Sequence, residues 1–384
     1  MSQINVRNLS NENDDGAPDI VGVSTFSATS YFVPPVGTTA QRPDNPQGGD
    51  LRFNTDTASL EYFKGDTLGW SQIEMTSPDL DGGARALFST GYISGSDYTD
   101  RIDSVTISTL GDAVDFGNAA VNRFYTNGFA SRIRGYTVGG QAPSLANGTN
   151  AIEYVTISSF GNGTDFGDLD NPCKYGMSFS SSTRGVTALG HSPSPTSVNT
   201  MEYITLGTSG TGVDFGDTTG VRNGGAACAS STRGIIWGGV VGPGYGNAID
   251  YVTTATTGNA SDFGDLIKSR SNIPASFSNS TRGIIAGGFD QPYTGDGNSI
   301  YYITIATTGN ATDFGDTAGT GGKEFIAGAS SPTRGLVVGG QSGPTSYNNI
   351  DYITIQTTGN AVDFGDLSEA RFGLAGCSNA HGGL

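Results

Sequence analysis

Chemistry-bearing residues are scarce in this chain: two histidines, three cysteines and two tryptophans in 384 residues, with charged residues at 14%. His191 and His381 fall in different parts of the sequence pattern, so a histidine-based metal site or nucleophilic triad has no ground to stand on. No metal, no cofactor and no enzymatic activity are expected. Basic residues are few as well, 19 against 36 acidic, and the net charge is −17. Nothing here would displace counterions from phosphates, which argues against nucleic acid as a partner. No run approaches the length of a membrane span, and the first residues lack the basic-then-apolar order of a signal peptide, so no membrane insertion is expected. Acidity on such a chain serves solubility and discourages edge pairing.

Glycine is abundant instead, at 60 residues, and much of it recurs with a period. An Asp-Phe-Gly step places its Phe at positions 116, 166, 215, 263, 314 and 364, at gaps of 50, 49, 48, 51 and 50. An Arg-Gly turn follows as Arg134-Gly135, Arg184-Gly185, Arg233-Gly234, Arg282-Gly283 and Arg334-Gly335. Self-similarity at this period is the signature of a repeat architecture. One copy reads as four short strands: Ala275 to Ser278, Gly283 to Gly288, Tyr301 to Ile305 and Thr312 to Gly315. Turn residues separate them, as in an antiparallel meander. The third strand carries aliphatics on one face and Tyr and Thr on the other, so both faces have neighbours to meet. The expected architecture is all-β, a six-bladed β-propeller.

The ends of the repeat region suggest how such a circle closes. Gly83 to Gly91 aligns with Thr281 to Gly288, so the first copy begins at the turn with no inner strand before it. Phe372 to Ala380 is an inner strand followed only by His381 to Leu384. The last strand is therefore expected to complete the first blade, with Arg85 as sixth member of the arginine set and Leu384 beside the segment 83–87. Cys228 and Cys377 occupy the same register as Phe129, Phe179, Phe277 and Ala329, whereas Cys173 lies in a connecting loop. Three free thiols, serving as packing, are expected.

Residues 1–80 are of another kind. Residues 1–36 read as an extended N-terminal arm that is polar up to about Pro18, with a strand in search of a partner between Asp19 and Val36. Residues 37–80 read as a small β-meander and linker, with strands at Asp50 to Asn54, Ser59 to Phe63 and Gly69 to Ile73 and an apolar cluster of Phe53, Tyr62 and Trp70. Three strands are barely self-sufficient, so docking to another surface or subunit is expected. The repeat region then occupies 81–384.

Several repeated features have structural explanations. The Asp pairs flanking each Phe lack the spacing of a calcium loop and are expected to be solvated turn carboxylates. The arginines are expected to satisfy carbonyls or carboxylates at their own turns, and the six Phe residues to fill the space between blades. Variation between copies concentrates in the loops 93–100, 141–150, 191–199, 240–247, 289–298 and 341–349. Tyr98, Tyr245, Tyr293 and Tyr347 lie there among Gly, Pro, Ser and Asn. Varied loops on a rigid scaffold suit recognition of sugars or proteins, and these four tyrosines are the candidate binding residues.

The glycine pairs Gly139-Gly140, Gly238-Gly239, Gly287-Gly288 and Gly339-Gly340, each followed by a loop, a strand, a turn and an aromatic residue, resemble the kelch repeat. The resemblance covers about 81–384. It departs in having Phe where kelch repeats commonly have Trp on the outer strand, and in lacking a regular Arg-His step on the inner one. Six-bladed sialidases also carry arginines, but their Asp-box closed by Trp is missing. The blades of the form Tyr-Ile-Thr-Ile-x-Thr-Thr-Gly-Asn-Ala-x-Asp-Phe-Gly-Asp look like those in virion proteins of tailed phages, notably marine cyanophages. The run Gly37 to Ile73 is similar to small β-modules of phage tail and fibre proteins. These resemblances imply a virion structural protein of tail-fibre, appendage or decoration type, a homo-oligomer or multi-copy component of the particle. Residues 1–80 would attach it to other virion proteins, and the propeller would face outward for structural or host-surface contact. The alternative is a lectin-like or scaffold kelch propeller that binds glycan or protein outside a virion. A glycan-cleaving enzyme would need carboxylates facing one another across a cleft, and none is marked.

Overall fold

The computed structural model describes residues 34–56, 59–72, 84–93, 97–242, 244–291, 297–318 and 322–384. The chain divides into two compact units, Met1–Ser77 and Pro78–Leu384. Among the described residues every regular element is a strand, apart from one 3₁₀ turn at Thr39–Gln41. The fold is all-β.

In the first unit, Val36–Gly37, Leu51–Asn54, Ser59–Phe63 and Trp70–Gln72 form a four-stranded sheet in chain order. The three expected strands are present, and Val36–Gly37 adds a fourth that runs parallel to Phe53–Asn54. The rest of the expected arm, residues 1–33, and the linker at 76–83 lie outside the described residues. The expected cluster of Phe53, Tyr62 and Trp70 does not form, because register parity divides it. Phe53 pairs with Leu60 and Leu51 with Tyr62, which share one face. Phe63 pairs with Trp70, their rings 5.5 Å apart, on the other face with Arg52, Asn54 and Glu61. Glu61 is fully buried there. Arg42 donates to it through Nε at 3.2 Å and Nη2 at 2.6 Å, Asn54 Nδ2 donates at 3.1 Å, and Arg52 Nε stands 3.5 Å away. The Arg42 hydrogen bonds hold its carboxyl below the usual range.

Among its described residues the second unit contains six four-stranded antiparallel sheets. The second to sixth sheets start at Asn127, Met177, Ala226, Ala275 and Ala327, each with its innermost strand first in the chain. The first is assembled from both ends of the unit: Ala375–Ser378 pairs antiparallel with Arg85–Ser89, followed by Arg101–Thr106 and Val114–Asn118. The innermost strand of the first sheet thus comes from the far end of the unit, as expected. The detail at the last residues differs. Asn379 makes the contact with Arg85, donating to its carbonyl at 3.4 Å and accepting from its N–H at 2.9 Å. Residues 381–383 turn instead to Ala130, Ser180 and Ser278. The three thiols are free.

Glycine is required wherever one sheet meets the next. In the Asp-Phe-Gly step the Phe is buried, and the Gly, with φ near +145°, faces the backbone of the following sheet. A Cβ on Gly117 would lie 2.3 Å from the Gly161 carbonyl oxygen. The same approach joins Gly167 to Gly210, Gly216 to Gly258, Gly264 to Gly309, Gly315 to Gly359 and Gly365 to Gly111. At five of the six junctions the turn glycine of the following sheet donates its N–H to the Phe carbonyl, as Gly161 does to Phe116 and Gly111 to Phe364. An Asn beside that glycine caps the same junction: Asn310 Oδ1 accepts from Asp265 N, and Asn360 Oδ1 from Asp316 N, both at 3.0 Å. This accounts for the Thr-Gly-Asn turns.

The Arg-Gly turn obeys the same logic nearer the centre. Phe129, Phe179 and Phe277 press on Gly185, Gly234 and Gly335 of the following sheets, and Cys228 and Cys377 on Gly283 and Gly135. A Cβ on Gly335 would overlap the Phe277 ring at 1.8 Å. The first copy has Ala86 in place of that Gly, and the residue in the Phe register of the sixth sheet is then small, Ala329; both belong to one buried cluster. Five of the six arginines donate across a junction, among them Arg85 Nη1 to Ile157 O at 2.8 Å, Arg233 to Ile305 O at 3.0 Å and Arg334 to Ile107 O at 3.1 Å. Guanidiniums of this set lie over aromatic rings, Arg282 over Tyr302 at 4.5 Å and Arg85 over Phe160 at 5.2 Å.

The pairing of knob size with glycine predicts a compensating pair. Gly335→Ala should destabilise the unit by about 1–3 kcal/mol through overpacking. In the Phe277→Ala background the same change should cost much less, as the Ala86–Ala329 pair implies. Thermal denaturation of the four proteins in a double-mutant cycle measures this; a coupling energy near zero would refute the packing argument.

Candidate functional site

The candidate tyrosines among the described residues, Tyr98, Tyr245 and Tyr347, are engaged with different neighbours. Tyr98 ends a two-residue strand, Asp97–Tyr98, paired with Tyr92–Ile93. Its ring lies 5.5 Å from Tyr92 and 4.9 Å from Phe124, and its hydroxyl accepts from Gln141 Nε2 at 3.3 Å. Tyr245 closes the hairpin Val240–Val241/Gly244–Tyr245, beside Phe289 at 5.4 Å. Tyr347 carries the Lys323 ammonium 5.2 Å above its ring. Tyr293 lies outside the described residues. Among the described residues, no ring contact joins Tyr98, Tyr245 and Tyr347 to one another.

Tyr98 belongs instead to a group of aromatic residues that the sequence pattern did not single out. Two residues before each innermost strand the backbone turns left-handed: Tyr125 (φ 54°), Tyr175 (58°), Gly224 (64°), Ile273 (50°), Phe325 (56°) and Gly373 (65°). One residue earlier stand Phe124, Lys174, Asn223, Asn272, Glu324 and Phe372. Backbone hydrogen bonds link these turns from sheet to sheet: Gly224 N to Tyr175 O, Ile273 N to Gly224 O, Phe325 N to Asn272 O and Gly373 N to Phe325 O, all 2.7–2.8 Å. Their side chains gather into one cluster, with Tyr125 4.2 Å from Tyr175, 3.9 Å from Phe124 and 5.0 Å from Phe325, and Phe372 5.2 Å from Tyr92. Burial pushes the Tyr125 and Tyr175 phenols up, so both are neutral near pH 7. The Lys174 ammonium lies 5.2 Å from the Tyr175 ring and is pushed down by burial. Asn272 Nδ2 donates to Glu324 Oε2 at 3.0 Å, and burial raises that carboxyl.

Two adjoining pockets share Gly128, Ser178, Ala227, Ser276, Gly328 and Gly376, one from the first strand of each sheet. Ile273 of this group lines one pocket, beside Thr126, Gly225 and Ile326, and His381 lines the other. Its Nε2 lies 3.0 Å from Ala130 O and 3.1 Å from Ser180 Oγ, and its Nδ1 accepts from Gly383 N at 3.1 Å. Only the neutral imidazole protonated on Nε2 fits both partners. Loss of solvation, aided by Arg132, pushes its pKa down to about 4.

Other carboxylates are committed to structure. In four sheets a basic residue of the entering connector pairs with an acidic residue on the third strand. Arg371 meets Asp103 at 3.2 Å, Arg222 meets Asp250 at 2.7 Å and Lys323 meets Asp351 at 3.4 Å, while Arg123 pairs with Glu153. In the third sheet Cys173 occupies the basic position. Glu202 is then held by Asn171 Nδ2 at 2.8 Å and Asp170 N at 2.7 Å, and burial raises its carboxyl. In the fifth sheet Tyr301 replaces the acid and accepts from Arg270 Nη2 at 3.1 Å. Among the described residues, no group of three or more His, Cys, Asp or Glu could hold a metal ion.

In comparison with known proteins, no family model matches the chain and no curated protein matches it in sequence.

The His381 contacts carry a pH dependence whose sign follows from the depressed pKa. The contribution is complete above the unfolded value of about 6.5 and declines as pH falls from there toward about 4, because the unfolded chain takes up the proton first. Discounted for the residual solvent access of the ring, the loss should be about 1–3 kcal/mol. Melting curves from pH 7 to pH 4 should show a decline that His381→Gln reduces; identical profiles for the two proteins would refute the assignment.

Proposed function

We propose that the second unit is a closed, six-bladed, kelch-like β-propeller and that the protein is a phage virion component displaying it for binding rather than catalysis. The observation that supports closure is the glycine-to-backbone approach, which runs from each sheet to the next and returns from Gly365 of the sixth to Gly111 of the first. A binding role is supported by where the six copies differ. Packing positions repeat from copy to copy, whereas the residues at the aromatic end of the innermost strands do not. The buried carboxylates are meanwhile tied up by connectors. The virion reading rests on the resemblance of the repeats and of residues 37–73 to phage proteins, with the first unit as the attachment module to other virion proteins. A lectin-like propeller outside a virion is the second reading, favoured by the same aromatic end.

Two experiments test closure and the virion role in turn. Deleting residues 375–384 removes the strand paired with Arg85–Ser89. A closed propeller should then lose its cooperative melt and aggregate, and an unchanged melting curve would exclude closure. For the virion role, purified particles of a phage encoding the chain should contain it by mass spectrometry. Gold-labelled antibody against residues 84–384 should decorate their outer surface. Particles without the chain would overturn the reading.

A further inference from the structure

We propose that the aromatic end of the innermost strands is a glycan-binding site that takes a neutral pyranose unit at a notch over Gly224. This deepens the host-contact reading above and rests on it.

Backbone strain gives the first argument. A left-handed conformation costs little for glycine and of order 1–3 kcal/mol for other residues, most for β-branched ones. Gly224 and Gly373 occupy this turn without strain, yet in the four other copies it carries Tyr125, Tyr175, Ile273 and Phe325. Packing alone does not call for such large residues there, since the same turn closes with glycine twice. Strain retained at one place on a repeated scaffold points to function.

The second argument is shape. The two glycines are not equivalent. A Cβ on Gly373 would meet the Tyr125 ring at 3.1 Å, so that position is already filled. A Cβ on Gly224 would find nothing nearer than 3.6 Å, so the cluster is notched there.

Chemistry completes the case. Tyr175 and Lys174 precede the notch in chain order, and Asn272, Ile273 and Glu324 follow it, with Asn223 adjoining. The Asn223 and Asn272 amide nitrogens donate to Ser197 Oγ at 2.9 Å and to Glu324 Oε2 at 3.0 Å, which leaves their oxygens as acceptors for an incoming hydroxyl. Among the described residues Lys174 forms no ion pair, and its ammonium lies 5.8 Å from the Tyr125 ring and 5.2 Å from the Tyr175 ring. Its ammonium is a ready donor. Phenol rings beside amide, ammonium and carboxyl groups match a pyranose, which has an apolar C–H face and hydroxyls that both donate and accept. A net charge of −17 disfavours a polyanionic partner and selects a neutral sugar.

The test is saturation-transfer NMR on the full-length protein with four probes: methyl β-D-glucopyranoside, methyl β-D-galactopyranoside, methyl α-D-mannopyranoside and N-acetylglucosamine. Gly224→Phe fills the notch with a side chain that the equivalent turn already accepts at Phe325. Lys174→Gln removes a donor and leaves the turn intact. At least one probe should show transfer at about 10 mM, with affinity reduced about tenfold or more in Gly224→Phe and severalfold in Lys174→Gln; Lys174→Gln should melt like the parent, and Gly224→Phe, strained at its left-handed turn, should melt lower but in one cooperative transition. Absence of transfer from all four probes overturns the proposal, as does transfer undiminished in both variants. Self-association abolished by Gly224→Phe without any sugar binding overturns it too, and assigns the face to a second copy. A chain found on particles that binds no sugar sinks only the ligand assignment. Sugar binding at the notch by a chain missing from particles sinks only the virion reading.

Discussion

Close approach of one backbone to another, possible only where a side chain is missing, is the constraint on which the second unit depends. A carbonyl oxygen within 2.3–2.5 Å of where a Cβ would stand leaves glycine as the sole residue at Gly117, Gly167, Gly216, Gly264, Gly315 and Gly365. The approach matters because it brings a hydrogen bond with it. At five of the six junctions the turn of one sheet donates to the carbonyl of a buried Phe on its neighbour, so that Phe is fixed where the sheets dock. The ring then packs edge-on against a tyrosine on the adjoining strand, as Phe314 does with Tyr302 at 6.0 Å. Sheet, turn and core are settled by one contact.

Two further layers act across the same junctions. Arginines reach over the surface to carbonyls of the next sheet, where solvent screens them and each contributes little. The connectors bury acid–base pairs, where removing one partner would strand a charge at a cost of about 3–5 kcal/mol. The exceptions follow the same physics. Where Cys173 stands in for a base, the Glu202 carboxyl takes neutral donors and its proton affinity rises. Where Tyr301 stands in for an acid, a hydroxyl accepts from Arg270 instead. Such replacements keep the hydrogen bonds and relinquish the charge, which shows that the connector must be held but need not be held by an ion pair.

Much of the second unit was legible because its determinants are local and repeated. The strand runs, the glycine pairs, the register shared by Cys228 and Phe277, and the strand at Ala375–Ser378 can all be read by aligning the chain with itself. The aromatic end was harder to see. Phe325-Ile326 and Phe372-Gly373 look like the beginnings of apolar strands, and periodicity cannot distinguish a strand residue from a left-handed one just before it. The available signal was the alternation of glycine with Tyr, Ile and Phe at one fixed position, since glycine in some copies marks a positive φ in all of them. In the first unit the misreading was of parity. Phe53, Tyr62 and Trp70 are the large residues, but their faces depend on cross-strand register, and register placed Glu61 inside with Arg42 and Arg52.

What the sequence determined by itself was the repeated unit: four short strands, their turns and the positions that tolerate only glycine, all properties of residues close together in the chain. What only the tertiary structure decided was which of the varied residues meet. Tyr125, Tyr175, Phe325 and Phe372 are up to hundreds of residues apart in the chain, and they come together because the turns before the first strands of their sheets are hydrogen-bonded to one another, with Tyr98 reaching the group through Phe124. Tyr245 and Tyr347, similar in composition and setting, pack instead beside Phe289 and beneath Lys323. Distance along the chain carries no information about convergence of that kind; the packing of sheet against sheet supplies it.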